Sequence, residues 1–303
     1  MNYYNEIKTQ IINNEVTKKI KDYSKNRSDL NTYYNVGKLL SEAGKHYGEG
    51  IIKEYSKKLT KEFGKGYTQS RLRYFRRFYI VFSKCPTLSD KLTWSHYCEI
   101  IWFEELKINY YIKISVEQNL SVSELRNRIK NHEYERLPEE TKHKLTSKES
   151  KDEVKDLIKN PILIKNSNHY KIITEKILQQ LVLEDIPSFL DELGSGFTFI
   201  RNEYKIKIGN TYNYIDLLLF NIEFNCYVVI ELKVTELKKE HIGQIQIYMN
   251  YIDSNLKKNT QDKTIGIIIV RKDNKYIMEY CSDKRILSKT YELAWREITD
   301  ELL

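Results

Sequence analysis

Two carboxylates and one lysine in the last third of the chain have the types and spacing for phosphodiester hydrolysis. The run Tyr214-Ile215-Asp216-Leu217-Leu218-Leu219-Phe220 sets one acid inside an apolar segment. The run Cys226-Tyr227-Val228-Val229-Ile230-Glu231-Leu232-Lys233-Val234 sets a second acid and a lysine inside another. Both segments are rich in β-branched, aromatic and aliphatic residues and read as strands. Side chains alternate across a strand, so Glu231 and Lys233 share a side. A hairpin through residues 221–225 would bring Asp216 to that side as well. Two acids of this kind can hold Mg²⁺, and a lysine beside them can serve the attacking water and the scissile phosphate. The plainer alternative is a solvent-facing ion pair between Glu231 and Lys233. Strands this apolar are expected to be covered on both faces, where charge is costly unless paired or bound to metal. Asp216 in that setting favours a site.

The elements that would position these groups follow from periodicity. A helix is predicted from about Tyr170 to Leu193, broken or kinked at Pro187 and ended by Gly194-Ser195-Gly196. Strands follow at Phe197–Ile208, around Asp216, and around Glu231 and Lys233. A helix from about Leu237 to Leu256 comes next, then a buried strand from Thr264 to Arg271. The predicted order is helix, three strands, helix, strand.

The first part of the chain reads as helical. A helix is predicted from Ile51 to Phe63, a turn at Gly64-Lys65-Gly66-Tyr67, and a second helix from Gln69 to Phe82 with Thr68 as its cap. On that second helix Leu72, Phe75, Tyr79 and Phe82 share a face, with Arg73 and Arg77 opposite and Arg71 and Arg76 flanking. This is a helix-turn-helix-like arrangement with a basic second helix, against the alternative of solvated arginines on a surface helix. After Pro86, a further helix is expected to run through Trp102 and Leu106, and a capped helix from Ser121 to Ile129, with Ser121 or Ser123 at its start and Glu124 in its first turn. Residues 133–160 are polar and carry both charge signs, so the expected division is a helical domain at 1–132, a charged linker at 133–160 and a second domain at 161–303.

With 303 residues, 41% hydrophobic and 30% charged, the chain can build two soluble cores. A formal charge of +8 suggests a polyanionic partner. The 24 tyrosines suit stacking on nucleic acid, although codon bias in an AT-rich genome would also raise Lys, Asn, Ile and Tyr. Cys85, Cys98, Cys226 and Cys281 lack zinc-site or disulfide-framework spacing. The first residues lack a signal-peptide core and no run reaches membrane-spanning length, so the expectation is a cytoplasmic chain with no membrane partner. The six histidines show no metal-ligand spacing, His96 reads as a packed or capping residue, and no phosphate loop or nucleophile elbow is present.

The order of elements, with Asp216 on one strand and Glu231-Leu232-Lys233 on the next, resembles a PD-(D/E)XK nuclease domain. The segments Leu190–Phe197, Tyr214–Leu217, Tyr227–Lys233, Gly243-Gln244 and Thr264–Gly266 resemble the YhcG-like bacterial family. So do Tyr34–Lys38, Phe63–Tyr67 and Trp94–His96 nearer the start, so the resemblance spans nearly the whole chain. It implies a restriction-endonuclease-like mixed β-sheet core flanked by helices, an overall α/β chain with a helical N-terminal domain, and a DNA endonuclease activity. It also implies Asp216, Glu231 and the Leu232 carbonyl as ligands of Mg²⁺, with Mn²⁺ able to substitute, Lys233 at the attacking water, and Gln244 facing the site. Such proteins are associated with mobile elements and genome defence.

Two positions depart from the family pattern. Gln179 stands where a glutamate on the first helix of the core is usual, with Glu175 and Glu184 on the same helix as substitutes. Asn202-Glu203 stands where arginine-glutamine is usual, with Arg201 one residue away as the candidate DNA contact, so the phosphate contact is lost if Arg201 points to the opposite face and rebuilt if it does not. The resulting expectation is a metal-dependent endonuclease acting on DNA, with a homodimer suited to double-strand cleavage and a protein partner as an alternative use of the N-terminal domain. A non-catalytic DNA-binding or partner-recruiting protein with the same fold, and an RNA-directed nuclease, are the other readings.

Overall fold

The computed structural model describes residues 3–20, 25–48, 50–83, 89, 91–144 and 153–294. Cys85, Pro86 and the charged run from Lys148 to Asp152 lie outside the described residues. Contacts divide the chain into two units, Met1–Tyr134 and Glu135–Leu303.

The first unit is helical: α1 (Tyr3–Ile20), α2 (Lys25–Tyr47), α3 (Ile51–Phe63), a 3-10 turn (Lys65–Tyr67), α4 (Gln69–Phe82), α5 (Trp94–Ile100), α6 (Glu105–Glu117) and α7 (Val122–Lys130). The Thr68 hydroxyl accepts the Arg71 amide at the start of α4, as its type predicts. The Ser121–Glu124 capping box opens α7. The helix expected to continue through Trp102 is instead two, because the chain turns at residues 101–104 between α5 and α6. Tyr3, Ile7, Ile11, Val36, Leu40, Leu59, Leu72 and Phe75 pack one core of this unit. Gly37 is where α2 meets α4, since a Cβ there would lie 2.0 Å from the Phe75 carbonyl oxygen. His96 does cap: its Nδ1 accepts the Thr93 amide at 3.1 Å, and its Nε2 meets the Leu120 carbonyl at 2.9 Å.

The second unit carries α8 (Glu139–Lys144), α9 (Val154–Leu157), β1 (Ile162–Lys165), α10 (Glu175–Glu184), α11 (Ile186–Leu193), β2 (Phe197–Ile208), β3 (Thr211–Asn221), β4 (Cys226–Glu236), α12 (Lys239–Asn255), β5 (Asp262–Lys272), α13 (Lys275–Glu279) and β6 (Ile286–Ala294). The sheet order is β1-β6-β5-β4-β3-β2. β2, β3 and β4 pair antiparallel, whereas β4, β5, β6 and β1 run parallel. This is a mixed α/β fold. β1 and β6 extend the four predicted strands on one side; each is short or interrupted by polar residues, which hides it in the sequence.

The expected long helix breaks into α10 and α11 at Asp185, whose carboxylate caps Ser188, with Pro187 in the first turn of α11 where it needs no donor. The described residues of the 133–160 stretch from Glu135 onward belong to this unit. Arg136 grips Glu192 through two guanidinium nitrogens, and Glu192 also accepts the Leu163 amide at 2.9 Å.

Both faces of the sheet are covered. Leu217, Leu219, Val228, Ile230, Leu232, Ile267 and Ile269 pack under α10 and α11 residues including Leu178, Val182 and Phe189. Leu218, Val229, Ile268 and Val270 pack under Ile245, Met249 and Ile252 of α12. Gly266 lets α12 sit close to β5, since a Cβ there would lie 2.5 Å from the Met249 sulfur. Among the described residues, no helix is long and apolar enough to cross a membrane.

Candidate active site

The β3–β4 ladder runs from Asn221↔Cys226 to Leu217↔Ile230. One step further, the register would set Asp216 opposite Glu231. The Asp216 side chain intervenes there: its Oδ2 accepts the Leu232 amide at 2.8 Å. β2 is irregular alongside, with a register shift between Phe199 and Arg201 and a left-handed φ of 45° at Glu203. Glu203 lies opposite Asp216, and strain or a bulge at such a point re-aims neighbouring side chains. The effect is visible in the packing: Leu217 belongs to the core under α10, while Ile215 belongs to the core under α12.

Glu231 is 1% exposed and lies on the α12 side of β4. Its Oε2 accepts from Lys233 Nζ at 3.2 Å, and its Oε1 is buried with no hydrogen-bond partner. Lys233 also lies 3.8 Å from Glu175 Oε2, at the start of α10. The three residues singled out by spacing therefore converge, and Glu175 joins them.

The electrostatics follow from burial. Desolvation, then the Asp216 carboxylate, push the Glu231 carboxyl up to about 8, with Lys233 opposing. Desolvation also raises Asp216, partly offset by the Leu232 amide and Lys233. Burial would lower Lys233, but Glu231, Asp216 and Glu175 outweigh it and hold the ammonium above its usual value. Burial and the Lys233 charge lower His241, at the start of α12, which favours a neutral ring there.

The other expected residues are placed as follows. The Gln179 side-chain amide donates to the Asp216 carbonyl at 3.2 Å, so it supports the backbone of an acid rather than offering a charge. Glu184 is corrected: it accepts from Asn168 and Gln180, away from the lysine, because it sits at the far end of α10. Glu175 is the acid that reaches the lysine: the helix expected from about Tyr170 starts instead at Glu175, behind the Thr174 cap. Gln244 donates to the Tyr248 hydroxyl at 3.0 Å. Arg201 is exposed on β2.

On α4, Arg73 is exposed as expected. Arg77 is not: its Nε donates to the Ile101 carbonyl at 2.9 Å and its guanidinium lies over Trp102. Arg71 donates to the Tyr33 hydroxyl, and Arg76 is half-buried. The buried row of α4 is Leu72, Phe75, Phe78 and Phe82, with Tyr79 at its margin, so the apolar face is rotated towards Phe78 and carries Arg77 inward.

The donor set suits a hard divalent cation. It comprises two carboxylates, one with an oxygen buried and unpartnered, and both with ionisation opposed by desolvation. Among the described residues no three His, Cys, Asp or Glu side chains are grouped to hold a metal, so a third protein ligand would have to be a backbone oxygen, for which the Leu232 carbonyl is the candidate.

Residues 155–302 match the family model of the YhcG PDDEXK nuclease domain, and residues 6–136 match the DUF1016 N-terminal domain. The chain is 23% identical over 282 residues to YhcG of Escherichia coli (strain K12), whose name marks it as a candidate nuclease, covering 78% of this chain and 75% of that protein. Among solved structures, a repair endonuclease from Pyrococcus abyssi is 18% identical with a TM-score of 0.30, over 41% of this chain and 49% of that one. The EndoMS–dsDNA2 complex is 17% identical with a TM-score of 0.31, over 41% and 48%. The chain spans about half the length of these two structures.

Proposed function

Since this chain belongs to the YhcG-like family, with a DUF1016 N-terminal domain and a PDDEXK nuclease domain, we propose that it is a divalent-metal-dependent DNA endonuclease acting in the cytoplasm, with Asp216, Glu231 and Lys233 as its catalytic set. The observation that carries this reading is the buried, unpartnered Glu231 Oε1 beside Asp216. A buried acid left in this state is expensive unless a cation completes it.

Asp216 Oδ2 is held by the Leu232 amide and Oε2 of Glu231 by Lys233, which leaves Asp216 Oδ1 and Glu231 Oε1 as the oxygens for Mg²⁺ or Mn²⁺. When bound, such an ion would polarise the scissile phosphate and lower the pKa of a coordinated water. Lys233 stays charged and can stabilise negative charge developing on the phosphate, or orient the attacking water. Gln179 fixes the Asp216 backbone, and Tyr248 fixes Gln244 at the α12 side. Exposed Arg73 and Arg201 are the proposed DNA contacts, with the N-terminal domain serving DNA or a protein partner. A homodimer would supply the two sites that double-strand cleavage needs. A role in genome defence or mobile-element biology fits the family.

The test is cleavage of supercoiled plasmid by the purified chain in Mg²⁺ or Mn²⁺, against EDTA and against Lys233→Ala. Metal-dependent nicking that Lys233→Ala abolishes is expected. Absence of cleavage in either metal, with tight DNA binding, would instead favour a non-catalytic recruiting protein. Gln179 is the observation on that side, because it spends its amide on the Asp216 carbonyl and supplies no charge.

A further inference from the structure

β2 and β3 are longer than the sheet that holds them. β3 pairs with β4 only from Leu217 to Asn221, whereas its pairing with β2 continues to Ile208↔Thr211. Residues 204–215 therefore form a two-stranded ribbon that leaves the sheet at Asp216. One side of the ribbon is anchored, since Ile206 is 1% exposed and packs in the α12 core. The opposite side carries the cross-strand pairs Lys205↔Tyr214 and Lys207↔Tyr212.

That side is open. Tyr212 is 53% and Tyr214 51% exposed, and both lysines are exposed. Lys205 Nζ lies 3.9 Å and Lys207 Nζ 5.9 Å from the Tyr212 ring centre. Among the described residues neither lysine is paired with a carboxylate, so their charge is available to a polyanion. At a rise of about 3.3 Å per residue, Tyr214 stands about 7 Å and Tyr212 about 13 Å along the strand from Asp216.

We infer that this ribbon is a strand-binding arm that holds unpaired DNA beside the candidate active site, its tyrosines stacking on bases and Lys205 and Lys207 meeting the flanking phosphates. Interleaved cations and aromatic faces are the chemistry that suits single-stranded nucleic acid, because every base offers a π-face. A duplex, whose bases are already stacked, has no use for the two tyrosines. The inference rests on the DNA-cleavage reading for its polymer, and it adds the form of the substrate. β2 is also the sheet's outer strand, where lysines alone could serve to block edge-to-edge association. That role predicts no effect on nucleic-acid binding.

The experiment is fluorescence anisotropy of the full chain in EDTA, with labelled oligothymidylate, the same length of duplex, and oligouridylate. Tyr212→Ala/Tyr214→Ala should weaken oligothymidylate binding tenfold or more and duplex binding little, and Tyr212→Phe/Tyr214→Phe should restore it. Lys205→Ala/Lys207→Ala should lower the slope of log affinity against log salt by about 1.4, at about 0.7 per phosphate contact. Thermal melts check folding; Lys205→Gln/Lys207→Gln and Tyr212→Thr/Tyr214→Thr carry the same readout should an alanine pair not fold. Wild-type affinity and slope in both folded variants would overturn the arm, as would equal loss on duplex, and tighter oligouridylate binding would overturn its assignment to DNA. Plasmid cleavage is scored separately: an arm that binds in a chain that never cuts sinks the nuclease reading alone, and undiminished binding in a chain that cuts sinks the arm alone.

Discussion

Asp216 accepts the Leu232 amide proton at 2.8 Å, one step beyond the last ladder pair between β3 and β4. The acid therefore substitutes for a strand hydrogen bond while keeping its second oxygen free. Asp216→Asn keeps an acceptor for that amide and should fold normally but lose cleavage. Asp216→Ala strands a buried donor and should cost a further ~1–3 kcal/mol of stability. Chemical denaturation of both variants, with plasmid cleavage alongside, checks this; equal stability would show that the hydrogen bond does not support the fold.

Glu231 gives a pH dependence of definite sign. Its carboxyl is raised from 4.5 to about 8, so the folded state holds the proton more tightly than the unfolded chain. The associated stability is fully present below the unfolded value and is lost as pH rises through the folded one. The metal-free protein should lose stability between pH 4.5 and about 8, and Glu231→Gln should flatten that slope. Melting temperatures across the window decide it. Added Mg²⁺ should raise the wild-type melting temperature most at the alkaline end, where the acids are ionised, and this gain should vanish in Glu231→Gln.

Glu175 reaches Lys233, and Glu184 does not. Glu175→Gln should therefore change cleavage rate or metal requirement, measured as rate against Mg²⁺ concentration. Glu184→Gln should leave both unchanged. The opposite pattern would assign the acid beside Lys233 to Glu184 and overturn the role given to Glu175.

Gly37 faces the Phe75 carbonyl at a distance no side chain can share. Gly37→Ala must push α2 from α4 and should destabilise the N-terminal unit by ~1–3 kcal/mol, as overpacking does. Calorimetry of the full chain should show this loss without a change in the protonation behaviour of Glu231.

Arg73 and Arg77 separate binding from folding. Arg73→Ala should leave stability within about 0.5 kcal/mol and lower the salt slope of duplex binding by about 0.9, one phosphate contact. Arg77→Ala removes the Ile101 hydrogen bond and the Trp102 contact and should cost ~1 kcal/mol or more. Denaturation and salt-dependent binding of the two variants give the comparison.

Apolar runs are enough to read the strands that carry Asp216, Glu231 and Lys233, and alternation fixes which of their side chains share a face. The sequence by itself also determined α3, α4 and α7, whose lengths follow from apolar periodicity, with Thr68 marking the start of α4; that Ser121 rather than Ser123 opens α7 is decided by its capping box with Glu124. Tertiary structure decided what spacing cannot encode. Whether Glu175 or Glu184 reaches the lysine depends on where α10 starts and how it lies on the sheet. Whether Arg77 faces water or the Ile101 carbonyl depends on a few tens of degrees of rotation about α4, set by Phe78 entering the core. The ribbon at residues 204–215 is legible as two strands, but its projection past β4 depends on where the β3–β4 ladder stops. That end point is a long-range event, fixed by the Asp216 carboxylate capturing an amide sixteen residues away.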